Sequence, residues 1–226
     1  MGYTATGLTG PDFYRDPMRE VARKKGKQSS EVAEQTKAEI IAAATHLFST
    51  KGFDATGLRE IAEQSGLTHG TIRHHFGSKF DIWKAVADQV FACYQERLFP
   101  VLMDATQSDR PLEAFRQVVR AFIAVSNENP TFARLLTREG TSNNERYEYF
   151  DAHFVRMHVL IEVLFKKAQK ESGRLQSFTN DSFFMTLISL VFFPLVLTEL
   201  NRSLPAAKLD DLSGREDLIL KVLFSE

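Results

Sequence analysis

A single cysteine, Cys93, and a single tryptophan stand among the 226 residues of this chain. One thiol excludes a disulfide framework within the chain and leaves nothing for a cysteine-based zinc site. Such sparse cysteine fits a reducing cytosol, so a cytoplasmic location is expected. Surplus charge is absent too: 28 Lys and Arg face 29 Asp and Glu, for a net charge of −1. Any positive surface for a nucleic acid must therefore be local. The chain has no G-x-G-x-x-G, no Walker loop, no H-E-x-x-H and no nucleophile elbow. These absences remove the usual nucleotide-dependent, metallopeptidase and hydrolase chemistries. We expect no enzyme, no catalytic residue, no metal and no cofactor. Met1 to Gly10 lack the charged start and apolar run of a secretory signal. The longest uncharged stretch, Ser182 to Thr198, has 17 residues, contains Pro194 and lies between Asp181 and Glu199. That is the lower edge of membrane-spanning length, and a buried or interfacial helix fits it better. No membrane partner is expected. Sustained period-two alternation is also missing, so no sheet is expected and the fold class is all-α.

What is present is helical period. Residues 1–30 are broken by Gly2, Gly7, Gly10, Pro11 and Pro17 and read as a flexible, basic-tinged tail. Its run Arg23-Lys24-Lys25-Gly26-Lys27 is either an idle solvated segment or an arm that touches phosphates. From Glu31 the apolar spacing becomes regular. Ile40, Ala44, Leu47 and Phe48 share one face of a helix over about 36–51, and Gly52 suits its end. A short helix over 58–65 stops at Gly66, and another over 68–76 stops at Gly77. Ser78-Lys79-Phe80-Asp81 is a capping-box variant that opens a long fourth helix, ending near Phe99-Pro100. Longer helices follow from Pro111, Pro130, Glu145, Asp181 and Arg215. Residues 31–80 are thus expected to form one domain and residues 81–226 a larger one.

The two short helices joined by Ser65-Gly66-Leu67-Thr68 have a helix-turn-helix layout, in which the second helix presents its first residues to base edges. Thr68, His69, Gly70 and Thr71 open that helix. They are small or hydrogen-bonding, and none is acidic. Gly70 would let the backbone approach a base. Ile72 and Phe76 can pack inward, leaving Arg73 and His74 outward. Ser78 and Lys79 sit at the next helix start, where free N–H groups and the helix dipole favour a phosphate.

These residues also resemble a known family. The string LFSTKGFDATGLREIAEQSGLTHGTIRHHFGSKFDIWKAV carries K-G-F, S-G-L-T, G-T-I and H-F-G-S-K in the order and spacing of TetR-family transcriptional regulators. The resemblance covers Thr36 through Phe91. It implies that Arg59 reaches a base or phosphate, that Thr68 to Thr71 open the recognition helix, that His75 is the family's histidine before an aromatic, and that Lys79 binds phosphate. Two positions depart from the pattern. Arg73 stands where a phosphate-contacting tyrosine is usual, and Arg serves as well. Gly57 stands where Ser or Thr usually caps the helix, which removes one hydroxyl.

The resemblance further implies a homodimer on a palindromic duplex operator and a small-molecule effector bound in the second domain. The expected sense is repression, with release when the effector tilts the fourth helix. Most of the 19 Phe lie beyond residue 114 on helical stripes. They read as core by default, and a Phe-rich interior also suits the lining for a small hydrophobic or aromatic effector. Phe91, Tyr94, Phe122, Phe132, Phe154, Met157 and His158 are the candidate effector residues. His158 and Glu162 lie one turn apart, too few for a metal site. Arg134, Arg138 and Glu139 set the polarity of a pocket or form a solvated face. The last helices are too apolar for a monomer surface. Phe184, Leu187, Ile188, Val191, Phe192, Leu195, Leu218 and Val222 are expected at a two-fold interface. The competing reading is a helical interaction protein without sequence-specific DNA binding.

Overall fold

The computed structural model describes residues 17–141, 143–203 and 212–225. Among the described residues every regular element is a helix. The first is α1 (Pro17–Thr50), followed by α2 (Leu58–Ser65), α3 (His69–Phe76) and α4 (Lys79–Thr106). Then come α5 (Pro111–Glu128), α6 (Thr131–Glu139), α7 (Glu145–Gln169) and the single turn α8 (Gly173–Gln176). The last are α9 (Asn180–Val196), the short α10 (Thr198–Arg202) and α11 (Leu212–Phe224). No helix among the described residues is long and apolar enough to cross a membrane.

The chain divides into two compact units, residues 1–39 and 40–226. The expected boundary near residue 80 marks no such division, because α4 runs unbroken from Lys79 into the larger part. In the first unit the expected tail is helical from Pro17, the residue type best suited to a first helical position. The side chains of Arg23 to Lys27 lie outside the described residues. Exposed pairs such as Lys37–Glu34 (2.9 Å) and Gln35–Glu39 (3.0 Å) support the helix locally.

In the second unit α4 is the axis. Ile82, Trp83, Val86, Val90, Phe91, Tyr94, Leu98 and Leu102 are buried along it at helical spacing. The helix does not end at Pro100 as expected. Leu98, Leu102 and Ala105 are all buried, and their packing holds the helix through the missing N–H. Gly173 opens α8, and Leu197 separates α9 from α10.

The phenylalanines form two packed groups. Phe91, Tyr94, Phe122, Phe132, Phe150 and Phe192 stack with centroids 4.5–6.0 Å apart. Phe115, Phe165, Phe183 and Phe224 form the second group at 5.2–6.0 Å. Such tilted and edge-on contacts add to plain area burial.

Four residues expected at a two-fold interface belong instead to this core. Phe184, Leu187, Val191 and Phe192 are buried within the chain, so they have no face left for a partner. Ile188 and Leu195 are half-buried against the same core. Among the described residues, the large apolar side chains that α9 and α11 leave exposed are Met185, Phe193, Leu218 and Val222. Leu218 and Val222, of the expected set, are thus exposed. The expectation failed for α9 because that helix is apolar all round, and its sequence does not tell which side faces inward.

Candidate nucleic-acid interface

The helix-turn-helix is built by local signals. Gly57 precedes α2 in extended backbone and makes no side-chain cap. Gly66 adopts the left-handed conformation at φ 69°, and its N–H closes α2 onto Ala62 and Glu63. Thr68 then caps α3: its hydroxyl accepts the Thr71 N–H at 3.1 Å and lies 2.9 Å from the Thr71 hydroxyl. Gly77 ends α3, and Ser78 caps α4 by accepting the Asp81 N–H at 3.0 Å.

The side chains divide as expected along α3. Ile72 is buried, while Thr68, His69, Gly70, Arg73 and His74 are exposed. Thr71, His75 and Phe76 are half-buried. The helix carries no carboxylate. Arg59 on α2 and Arg73 on α3 are exposed, and their guanidinium groups have no hydrogen-bond or ion-pair partner among the described residues. A methyl group built on Gly70 would meet only the Thr68 hydroxyl, at 3.7 Å. Nothing inside the chain requires glycine there.

Lys79 departs from its expected role. Its ammonium turns inward and donates to the carbonyls of Phe53 (2.8 Å) and Thr56 (2.9 Å) in the α1–α2 loop. It also lies 4.2 Å above the Phe53 ring. Burial pushes the Lys79 ammonium below its ordinary value, Asp54 opposes the shift, and Arg146 reinforces it. Two of its three donors are thus committed to holding a loop. Ser78 likewise donates its hydroxyl to Asp81 rather than presenting it freely.

The same loop is held from the other side. The Arg146 guanidinium stacks 4.3 Å from Phe53, lies 3.5 Å from Asp54 and binds Glu139 at 2.9 Å. Arg138 donates to the Thr50 carbonyl at 2.7 Å, where α1 ends. Gly52 adopts φ +90°, and a methyl group there would come within 3.0 Å of Arg138. Glu139 is buried, which raises its pKa; the adjacent Arg146 opposes that rise. Phe53 falls in the K-G-F piece, but Arg146 carries no distinguishing sequence signal, since their partnership spans a loop and a helix far apart in the chain. Arg138 and Glu139, left open between pocket and solvated face, divide: one reaches α1 and the other is buried.

Among the described residues the expected effector residues do not line one cavity. Phe91, Tyr94 and Phe132 are fully packed, and the Tyr94 hydroxyl is satisfied by Ser126 at 3.0 Å. The side chains of Phe154 and Met157 lie outside the described residues. Of the expected set, Phe122 lines an enclosed apolar cavity, of about 20 Å³, with Leu98, Phe115, Ile161, Phe184 and Leu187. His158 lies in a separate polar cleft, 3.0 Å from Asp181, while Glu162 pairs with Lys166 at 2.5 Å. A wider groove of about 580 Å³, lined by Gln95, Leu98, Phe99, Pro100, Leu102 and Leu160, shares Leu98 with the enclosed cavity.

Fold and surface together define an all-α protein with a helix-turn-helix at the head of a larger helical part. The model of the family described as "Bacterial regulatory proteins, tetR family" matches residues 40–86. Over those residues the chain is similar to the helix-turn-helix part of that family. It is 32% identical over 114 residues to the HTH-type transcriptional regulator RutR of Escherichia coli, covering 50% of this chain and 51% of that one. The chain spans about half the length of the curated relatives it matches. The crystal structure of AibR in complex with isovaleryl coenzyme A and operator DNA is similar in fold. It has a TM-score of 0.68 and 18% identity, covering 84% of this chain and 98% of that one. The regulator FadR from Bacillus subtilis in complex with stearoyl-CoA has a TM-score of 0.62 and 17% identity, covering 83% and 97%.

Proposed function

We propose that this chain is a ligand-responsive transcriptional repressor that binds a palindromic operator as a homodimer. The observation that carries the reading is the first turn of α3. It is exposed, free of carboxylates, bare of a side chain at Gly70, and flanked by the unpartnered Arg59 and Arg73. Threonine, histidine and arginine there match base edges and phosphates. Exposed apolar residues on α9 and α11, including Phe193 and Leu218, supply the surface for a two-fold contact.

The effector is an acyl or comparable hydrophobic group. The cavity beside Phe122 holds little more than one water, so a ligand must displace aromatic side chains to enter. The shared Leu98 makes the α4–α7 groove the entry path. Relatives of this fold that hold isovaleryl and stearoyl coenzyme A support this class. Opening the cavity moves α4, whose other end carries Lys79 and the α1–α2 loop. The effector acts only through its preference for that opened state.

The test is selection from a random duplex library, followed by anisotropy titration at two salt concentrations. Enrichment of a palindrome, a dimer on the DNA and a steep salt slope support the proposal. Arg73→Ala is expected to lower the slope by about one. With no enriched sequence, the helical interaction protein becomes the reading.

A further inference from the structure

We propose that a second pocket, where the last turn of α1 meets α6 and the α9–α10 junction, binds the oxyanion group of a small metabolite. The pocket is about 370 Å³ and is lined by Ser49, Thr50, Arg134, Thr137, Arg138, Val196 and Thr198. That lining holds two guanidinium groups, four hydroxyls and no carboxylate. It shares no residue with the apolar effector cavity.

Arg134 carries the argument. It is half-buried, yet among the described residues its guanidinium has no hydrogen-bond or ion-pair partner. Three arginines of the larger helical part are paired, Arg97 with Glu128, Arg120 with Glu113 and Glu216, and Arg146 with Glu139, whereas the unpartnered Arg59 and Arg73 lie exposed on the helix-turn-helix. Arg134 and Arg138 sit one turn apart on α6, where like charges repel unless a counter-charge lies between them. Arg138 has committed one donor to the Thr50 carbonyl and retains the others. The Thr198 hydroxyl has no partner among the described residues. Two planar guanidinium forks and a free hydroxyl converge on a polar hollow, which is the donor set that phosphate and carboxylate groups take. Ser49, Thr50 and Thr137 donate to carbonyls of their own helices, at 3.1, 2.7 and 2.7 Å, and can turn toward a ligand. An oxyanion there would draw Arg134 and Arg138 together and fasten α6 to the end of α1.

The experiment is thermal unfolding and titration calorimetry of the full chain. Sodium phosphate and sodium acetate are compared with sodium chloride at matched ionic strength. The variants are Arg134→Gln, Arg134→Lys and, away from the pocket, Arg97→Gln. A saturable rise in Tm with phosphate assigns a phosphate group, and one with acetate alone assigns a carboxylate. Arg134→Gln is expected to bind about tenfold more weakly, Arg134→Lys to fall between, and Arg97→Gln to respond like the parent. Arg134→Gln should unfold in chloride no earlier than the parent, since it removes a repulsion. The proposal is overturned if neither anion binds saturably, or if Arg134→Gln responds as the parent does. None of these outcomes depends on operator binding or on the acyl effector.

Discussion

The Lys79 ammonium lies 2.8 Å from the carbonyl oxygen of Phe53 and 4.2 Å from the centre of its ring. One residue at the start of α4 thereby fixes the loop between α1 and α2, and Arg146 closes on the same ring from α7. The helix-turn-helix is positioned by a phenylalanine held between two cations.

Lys79→Ala removes two charge-assisted hydrogen bonds and strands the Thr56 carbonyl, while the Phe53 carbonyl keeps the Thr56 N–H at 3.1 Å. Urea unfolding should show a loss of about 1–3 kcal/mol. Operator affinity should fall as the loop loosens, yet its slope against log salt should stay within error of the parent. A slope lowered by about one would instead make Lys79 a direct phosphate contact.

Gly70→Ala separates folding from binding. The methyl group meets only a hydroxyl at 3.7 Å and favours the helix, so stability should rise by up to about 1 kcal/mol. On the selected operator the added methyl stands between α3 and the bases, and affinity should drop at least about tenfold, or about 1.4 kcal/mol. Unchanged affinity would remove Gly70 from the DNA surface.

Adjacent residues of α9 should behave oppositely. Phe192 is 3% exposed, and Phe192→Ala should cost about 3–5 kcal/mol in unfolding. Phe193 is 63% exposed. Phe193→Glu should leave the subunit folded and shift sedimentation from dimer toward monomer. A dimer that survives both Phe193→Glu and Leu218→Glu would place the two-fold contact elsewhere.

Glu139 gives stability a pH dependence of defined sign. Its pKa in the folded chain is raised above the ordinary 4.5, chiefly by burial. Between the two values the folded state binds more protons than the unfolded state, so stability falls as pH rises from about 4.5 through the folded value. Glu139→Gln should flatten that segment of a urea-midpoint profile against pH. A profile identical to the parent would mean that Glu139 does not titrate there.

The helix-turn-helix was legible in residue order because its signals are short-range. Gly66 and Gly77 end helices, Thr68 and Ser78 begin them, and the apolar spacing of Ile61, Ala62 and Ile72 selects the buried side. Pro100 misled for the same reason. It is a local stop signal, overruled by Leu98 and Leu102 packing on either side. The effector candidates misled because a phenylalanine that lines a cavity and one that fills a core have the same period.

Residue order therefore sufficed for the all-α class, the caps and the chemistry that α3 presents, all of which are settled within one or two helical turns. Packing between distant segments settled the rest. It turned Lys79 inward, buried Phe192 while exposing Phe193, closed the cavity beside Phe122 and left Arg134 without a partner. Each of those outcomes depends on which helix lies opposite. That choice is made by the summed burial of the whole core, and helical periodicity does not encode it for α9, which is apolar on every side.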